Sequence, residues 1–139
     1  MSAGRVLLAD GHPNMLEAVH GLLKGKFATT VMVADETSLL ETAARVEPDL
    51  VVVDLSLSVS GGVNVVRTLL NRYPALKVVV LSVHDEQAVL AQAIDAGAVG
   101  FVLKRTVGVD LPRAVDAVLR GETYVSAVLG WRPGARARL

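Results

Sequence analysis

The sequence predicts a single α/β domain in which a parallel sheet is covered by helices on both faces. Residues 50–54 (LVVVD) form an apolar run without period-2 alternation, which is typical of a strand buried on both faces. Five apolar runs alternate with segments of helical apolar spacing, and this strict alternation indicates a parallel sheet. The chain has 139 residues, enough for one domain with a substantial core.

Each predicted element has a local justification. The strands are the short apolar runs, expected at residues 5–9, 29–34, 50–54, 77–82 and 100–104. Pro13 suits the first turn of a helix, and Asp35 and Asp85 are expected to cap the second and fourth helices. The helices are expected within residues 13–24, 36–46, 63–73, 86–96 and 109–119.

The connections between the strands limit the topology. Right-handed crossovers leave few arrangements for five parallel strands, and the flavodoxin-like order 2-1-3-4-5 is a common one. The alternation stops after Gly121, and residues 130–139 are basic and rich in Gly and Pro. We therefore assign residues 1–125 to the domain and residues 126–139 to a linker or tail.

Composition excludes several classes of protein. Hydrophobic residues make up 52% of the chain, which excludes a disordered protein. Basic and acidic residues balance at 14 each, so no net charge attracts nucleic acid or an anionic membrane. No cysteine is present, which excludes thiol chemistry. Because no apolar run approaches the roughly 20 residues of a membrane helix, and no signal peptide is evident, we expect a cytoplasmic protein.

Polar residues follow four of the predicted strands. Ligands of open parallel sheets bind at the carboxyl ends of the strands, and these ends carry Asp10, Asp54, Ser82 and Lys104. Each alone has an ordinary explanation as a helix cap, a turn residue or a solvated lysine. Together they favour phosphoryl transfer, since a carboxylate can act as nucleophile while Mg²⁺, a hydroxyl and an ammonium stabilise the phosphoryl oxygens.

Residues 5 to about 125 resemble the receiver domain of two-component response regulators. The likeness is closest to the NarL/FixJ subfamily, in which a LuxR-type helix-turn-helix follows the receiver. The segments that carry it are LLADGHP (7–13), VDLSL (53–57), Gly61-Gly62, VLS (80–82), AGAVGFVLK (96–104) and RGETYVS (120–126).

The resemblance implies a role for each site residue. Asp54 would accept the phosphoryl group, and Lys104 would contact it. Asp10, Asp54 and the backbone carbonyl of Ser56 would bind Mg²⁺. Ser82 would be the switch hydroxyl.

The resemblance also implies a switch and a set of partners. Phe101 would take the position of the switch aromatic, although a plain core aromatic is an equal interpretation. A sensor histidine kinase would donate the phosphoryl group, and the domain would form a homodimer. DNA would be contacted only through an output domain that this chain does not contain. His12 and His84 are interpreted as a structural and a surface residue.

The chain departs from the family pattern beside the expected site. Gly11 stands where a second acid, normally a direct Mg²⁺ ligand, is usual, and Ser58 replaces a usual proline. The loss of one carboxylate predicts weakened Mg²⁺ binding. The alternative is therefore a phosphorylation-independent dimerisation or binding module. An enzyme on this fold is disfavoured, because a dehalogenase-like phosphatase needs Asp-x-Asp where this chain has Asp54-Leu55-Ser56.

Overall fold

The computed structural model describes residues 4–58 and 61–130, in which strands and helices alternate. The strands are β1 (Arg5–Ala9), β2 (Thr29–Val33), β3 (Leu50–Asp54), β4 (Lys77–Ser82), β5 (Gly100–Leu103) and β6 (Tyr124–Val125). The helices are α1 (Pro13–Leu23), α2 (Glu36–Val46), α3 (Asn64–Arg72), α4 (Gln87–Asp95) and α5 (Val107–Leu119).

The described strands form one parallel sheet in the order β2-β1-β3-β4-β5-β6. The predicted order 2-1-3-4-5 and the flavodoxin-like class are confirmed. The sixth strand was not predicted. It spans two residues and pairs Tyr124 with Gly100 and Val125 with Phe101. A strand this short carries no periodicity, so only the edge offered by β5 defines it.

Alternate residues of the central strands enter two separate cores. Val51 and Val53 of β3 belong to a cluster that includes apolar residues of α2, α3 and α4. Val52, between them, belongs to a cluster with residues of α1 and α5. All three side chains are at most 1% exposed. Because helices cover both faces, residues 50–53 of the strand are all apolar, which explains the missing alternation.

The helix caps confirm one prediction and correct another. Asp35 caps α2, where its carboxylate accepts a hydrogen bond from the backbone N–H of Ser38 at 2.7 Å. Asp85 does not cap α4, because the helix begins at Gln87 and the N-cap position belongs to Glu86. The Asp85 carboxylate instead pairs with the guanidinium of Arg105 at 3.1 Å.

A buried polar cluster attaches α5 to β6. Asp110 accepts hydrogen bonds from Thr106, from the Tyr124 hydroxyl at 2.7 Å and from the Ser126 hydroxyl at 2.6 Å. The Ser126 Oγ also accepts the backbone N–H of Leu103 at 3.0 Å. Burial alone would raise the pKa of Asp110, but these hydrogen bonds hold it below its ordinary value.

The chain end that the structure describes is packed against the domain. Ser126 and Leu129 are buried, and the Leu129 carbonyl accepts a hydrogen bond from the Gln87 side chain at 2.9 Å. Most of the predicted tail, residues 131–139, lies outside the described residues.

The Tyr124 hydroxyl should make the free energy of unfolding depend on pH in the alkaline range. Burial, with the hydrogen bond and the charge of Asp110, raises the pKa of Tyr124 to about 12. Its ordinary value is about 10, so the unfolded chain loses this proton first as pH rises. The stabilisation is therefore complete below about pH 10 and lost toward pH 12. The free energy of unfolding, measured with urea at pH 8 and pH 11, should be higher for the native protein than for Tyr124→Phe. This difference in stability should be smaller at pH 11 than at pH 8.

Asp110→Asn serves as the control, because it removes the charge and nearly preserves the shape. In proteins that carry Asp110→Asn, the stability difference caused by Tyr124→Phe should depend less on pH. In proteins that retain Asp110, an equal stability difference at pH 8 and pH 11 would contradict the role of this hydrogen bond.

Candidate functional site

Three of the predicted site residues meet at the carboxyl edge of the sheet. Asp10 follows β1, Asp54 ends β3, and Lys104 follows β5. The Lys104 Nζ lies 3.0 Å from Oδ2 of Asp10 and 3.0 Å from Oδ2 of Asp54. Both aspartates are 2% exposed. We call these three residues, with the cavity beside them, the acidic pocket.

Ser82, the fourth predicted residue, lines the cavity of the acidic pocket. The cavity measures about 750 Å³ and also borders Asp54, Lys104 and the start of α4. The Ser82 Oγ accepts the backbone N–H of His84 at 2.9 Å. The hydroxyl is therefore positioned at the cavity wall by a local turn. A role as a phosphoryl contact stays a prediction.

Phe101 is placed away from solvent. Its side chain is 0% exposed and belongs to the core cluster shared with α2, α3 and α4. In this arrangement it acts as a core aromatic. A switch role would require it to leave that core, and this role also stays a prediction.

Asp54 is held by the residue two positions after it. The backbone N–H of Ser56 donates to its Oδ1 at 3.1 Å, and the Ser56 hydroxyl donates to its Oδ2 at 2.5 Å. Burial acts to raise the pKa of Asp54, but the hydrogen bonds from Ser56 and the ammonium of Lys104 hold the pKa below its ordinary value. The carboxylate is therefore anionic at neutral pH, as a nucleophile must be.

The Ser56 side chain was missed in the sequence, where only its backbone carbonyl was considered. A serine two residues after a strand-end aspartate is the pattern of a local side-chain turn, and this pattern could have indicated the contact. The role of the carbonyl as a metal ligand stays a prediction.

The side chain of His12, which the sequence analysis interprets as structural, also lies at the acidic pocket. Its Nδ1 lies 2.9 Å from Oδ1 of Asp10 and 3.5 Å from Oδ2 of Asp54. Its backbone N–H donates to the same Oδ1 of Asp10 at 2.8 Å. Pro13 starts α1 directly after it, so the turn that begins the helix brings the ring back over Asp10.

Gly11 lies beside the acidic pocket without a steric need for glycine. A Cβ built at this position would lie 3.5 Å from the carbonyl oxygen of Ala34 and 3.9 Å from Cδ1 of Leu57, which are ordinary contacts. The backbone is therefore compatible with a side chain here. With two carboxylates and one ammonium, the acidic pocket carries one net negative charge.

Comparison with known proteins assigns the chain to a family. Residues 6–116 match the family described as the response regulator receiver domain. The chain belongs to this family. The resemblance drawn from the sequence motifs is thus confirmed.

Two of the three relatives compared below are named as transcriptional regulatory proteins. The transcriptional regulatory protein DegU of Brevibacillus brevis is 29% identical over 87% of this chain and 52% of its own length. The glycerol metabolism activator of Pseudomonas putida is 32% identical over 87% of this chain and 56% of its own length. RcsB of Escherichia coli K12 is 26% identical over 89% of this chain and 60% of its own length. The chain thus spans somewhat more than half the length of these relatives.

Solved structures agree with this family. A two-component response regulator of the LuxR family from Aurantimonas sp. SI85-9A1 has a TM-score of 0.84 and 28% identity, covering 93% of this chain and 94% of that one. RcsB of Salmonella typhimurium has a TM-score of 0.86 at 24% identity, covering 94% of this chain and 66% of that one, and supports the fold. Among the helices in the described part of the chain, none is long and apolar enough to cross a membrane.

Gly11→Asp should strengthen Mg²⁺ binding. The new side chain would follow Asp10 directly, at a position where a Cβ meets only ordinary contacts, and it would add one negative charge. Loss of groups that only orient a metal ligand costs roughly 10–100-fold in affinity, so a direct ligand should gain at least about 10-fold. Calorimetric titration with MgCl₂ measures this change.

Gly21→Asp is the matched control, because it adds the same charge at a helical position with open space around the Cβ. It should leave the Mg²⁺ affinity nearly unchanged. Equal gains in both variants would mean that overall charge, rather than the acidic pocket, determines the affinity.

Proposed function

We propose that this chain is a signalling receiver that takes a phosphoryl group on Asp54 from a phosphohistidine of a sensor kinase. The observation that carries the proposal is an anionic, buried carboxylate 3.0 Å from an ammonium at the wall of an open cavity. A carboxylate oxygen of Asp54 attacks phosphorus, the phosphorus–nitrogen bond breaks, and the donor imidazole keeps the electron pair. The product is an acyl phosphate.

Charge neutralisation follows from the residues around Asp54. The transferred group spreads negative charge over its oxygens, so positive groups stabilise it. The Lys104 ammonium, now shared between two carboxylates, is close enough to neutralise one phosphoryl oxygen. The Ser82 hydroxyl donates to another after it leaves its turn with His84, and this movement transmits the signal toward Phe101.

The oxygen ligands of the acidic pocket suit a divalent cation, although the pocket has one carboxylate fewer than is usual in the family. Asp10, Asp54 and the backbone carbonyl of Ser56 would hold Mg²⁺. The Oδ2 of Asp10 is buried and accepts no hydrogen bond within the described residues, although the Lys104 ammonium lies 3.0 Å away. When bound, Mg²⁺ supplies positive charge to the phosphoryl oxygens.

The wider function follows from the family and from the lengths of the relatives. We infer that residues 1–125 are the receiver and that residues 126–139 lead into an output domain, since the relatives named as transcriptional regulators are longer. One solved relative, RcsB, is described in complex with DNA. The signal would pass through a homodimer in the cytoplasm to a DNA-binding output.

A second candidate is a receiver that binds or dimerises without phosphorylation. Gly11 favours it, because the missing acid lowers the affinity for the metal that phosphoryl transfer needs. The ion pairs of Lys104 favour it as well, since its ammonium contacts both buried carboxylates and compensates one of their two charges without a metal.

Intact-mass measurement after incubation with acetyl phosphate and Mg²⁺ tests the two candidates. One phosphoryl adduct is expected on the native chain. It should be absent in Asp54→Ala and in EDTA. Asp110→Asn removes a different buried aspartate outside the acidic pocket and should retain the adduct.

Failure of the reaction separates the candidates further. If the native chain forms no adduct but Gly11→Asp does, the second candidate replaces the first. An adduct that persists in Asp54→Ala would overturn the assignment of the phosphoacceptor.

A further inference from the structure

Three side chains from one corner of the acidic pocket are spaced like the ligands of one ion. Asp10, His12 and Asp54 each offer a ligand atom, and these atoms lie within 4.8 Å of one another. The Nδ1 of His12 is 2.9 Å and 3.5 Å from carboxylate oxygens of the two aspartates. Zinc bonds to nitrogen and oxygen measure about 2.0–2.2 Å, which places neighbouring ligands of a tetrahedral ion about 3.4 Å apart. The two distances from the His12 Nδ1 lie on either side of this value.

A cationic group already occupies the point that these ligands face. The Lys104 Nζ lies 3.0 Å from Oδ2 of Asp10, 3.0 Å from Oδ2 of Asp54 and 3.4 Å from Nδ1 of His12. The Oδ2 of Asp10 accepts no hydrogen bond in the described part of the chain, although Asp10 is 2% exposed. The corner is thus arranged around a positive charge, and the Asp10 Oδ2 meets that charge through an ion pair without accepting a hydrogen bond.

The chemistry of the three ligands discriminates between metals. Mg²⁺ prefers oxygen ligands in near-octahedral geometry and keeps several waters. Imidazole nitrogen instead suits Zn²⁺, Ni²⁺ and related ions, which bind nitrogen and oxygen sites more tightly. With Gly11 in place of an acid, His12 is the side chain that completes the set after Asp10 and Asp54.

We propose that the acidic pocket binds a zinc-class divalent cation through Asp10, Asp54 and the Nδ1 of His12, in preference to Mg²⁺. The inference refines the metal of the proposed function and rests on it only for the location of the pocket. Binding itself requires no phosphorylation.

Binding sets two local conditions. The Nδ1 of His12 faces an Asp10 oxygen, which accepts hydrogen bonds, and the Lys104 ammonium, which donates them, so either ring tautomer fits the free pocket. Ligation through Nδ1 requires the neutral tautomer that carries its hydrogen on Nε2. The His12 ring is 66% exposed, so water can accept this Nε2–H. The Lys104 ammonium withdraws from the carboxylates toward the cavity.

Calorimetric titration of the full chain with ZnCl₂ and with MgCl₂ tests the proposal. The native chain should bind Zn²⁺ at least about 10-fold more tightly than Mg²⁺. His12→Ala should lose at least about 10-fold in Zn²⁺ affinity and change Mg²⁺ affinity by less than about 2-fold. His12 is exposed and lies outside the core, so circular dichroism should confirm an unchanged fold.

His84→Ala is the matched control. His84 lines the same cavity, and its Nδ1 lies 3.6 Å from Glu86, yet it is outside the three-ligand group. The variant should bind Zn²⁺ like the native chain. A loss in His84→Ala comparable to that in His12→Ala would overturn the assignment.

Nuclear magnetic resonance provides a direct signature. Zn²⁺ should shift the ¹⁵N resonance of the His12 Nδ1 and leave that of His84 in place. An unshifted His12, or equal affinities of the native chain for the two metals, would overturn the proposal. The proposed phosphoryl transfer is judged separately, because the mass adduct on Asp54 is measured without reference to His12.

Discussion

The burial of two carboxylates side by side is the constraint on which the site depends. Asp10 and Asp54 end adjacent strands, so the pairing of β1 with β3 forces their negative charges together out of solvent. Isolated buried charges are costly unless they are paired. Lys104 supplies the pairing charge from the end of β5, reaching across β4. The order of the strands therefore determines that the two carboxylates and the ammonium meet at this edge of the sheet.

Gly11 changes the balance of that site without changing its backbone. With a second acid, three carboxylates and one ammonium would leave the acidic pocket with two net negative charges. With glycine, two carboxylates and one ammonium leave one. The His12 ring lies beside both aspartates, so the ligand set proposed above contains one nitrogen besides the carboxylate oxygens.

Much of the fold was predictable because strands that are buried on both faces have uninterrupted apolar sequences. The five long strands, their order and the cap of α2 by Asp35 follow from such local signals. Local signals do not predict the two-residue strand β6 or the position of Asp85. Strand β6 depends on the open edge of β5, and Asp85 is positioned by the guanidinium of Arg105.

The amino-acid sequence alone reveals which polar residues lie at the strand ends, because Asp10, Asp54, Ser82 and Lys104 each follow or end an apolar run. It also shows glycine at position 11, where the resembled family usually has an acid. The way in which these groups meet depends on the tertiary structure. The distances from Lys104 to the two aspartates, and the return of the His12 ring over Asp10, depend on strand order and on the turn into α1. Local sequence patterns report burial and turns, whereas contacts between distant residues arise from packing of the whole sheet.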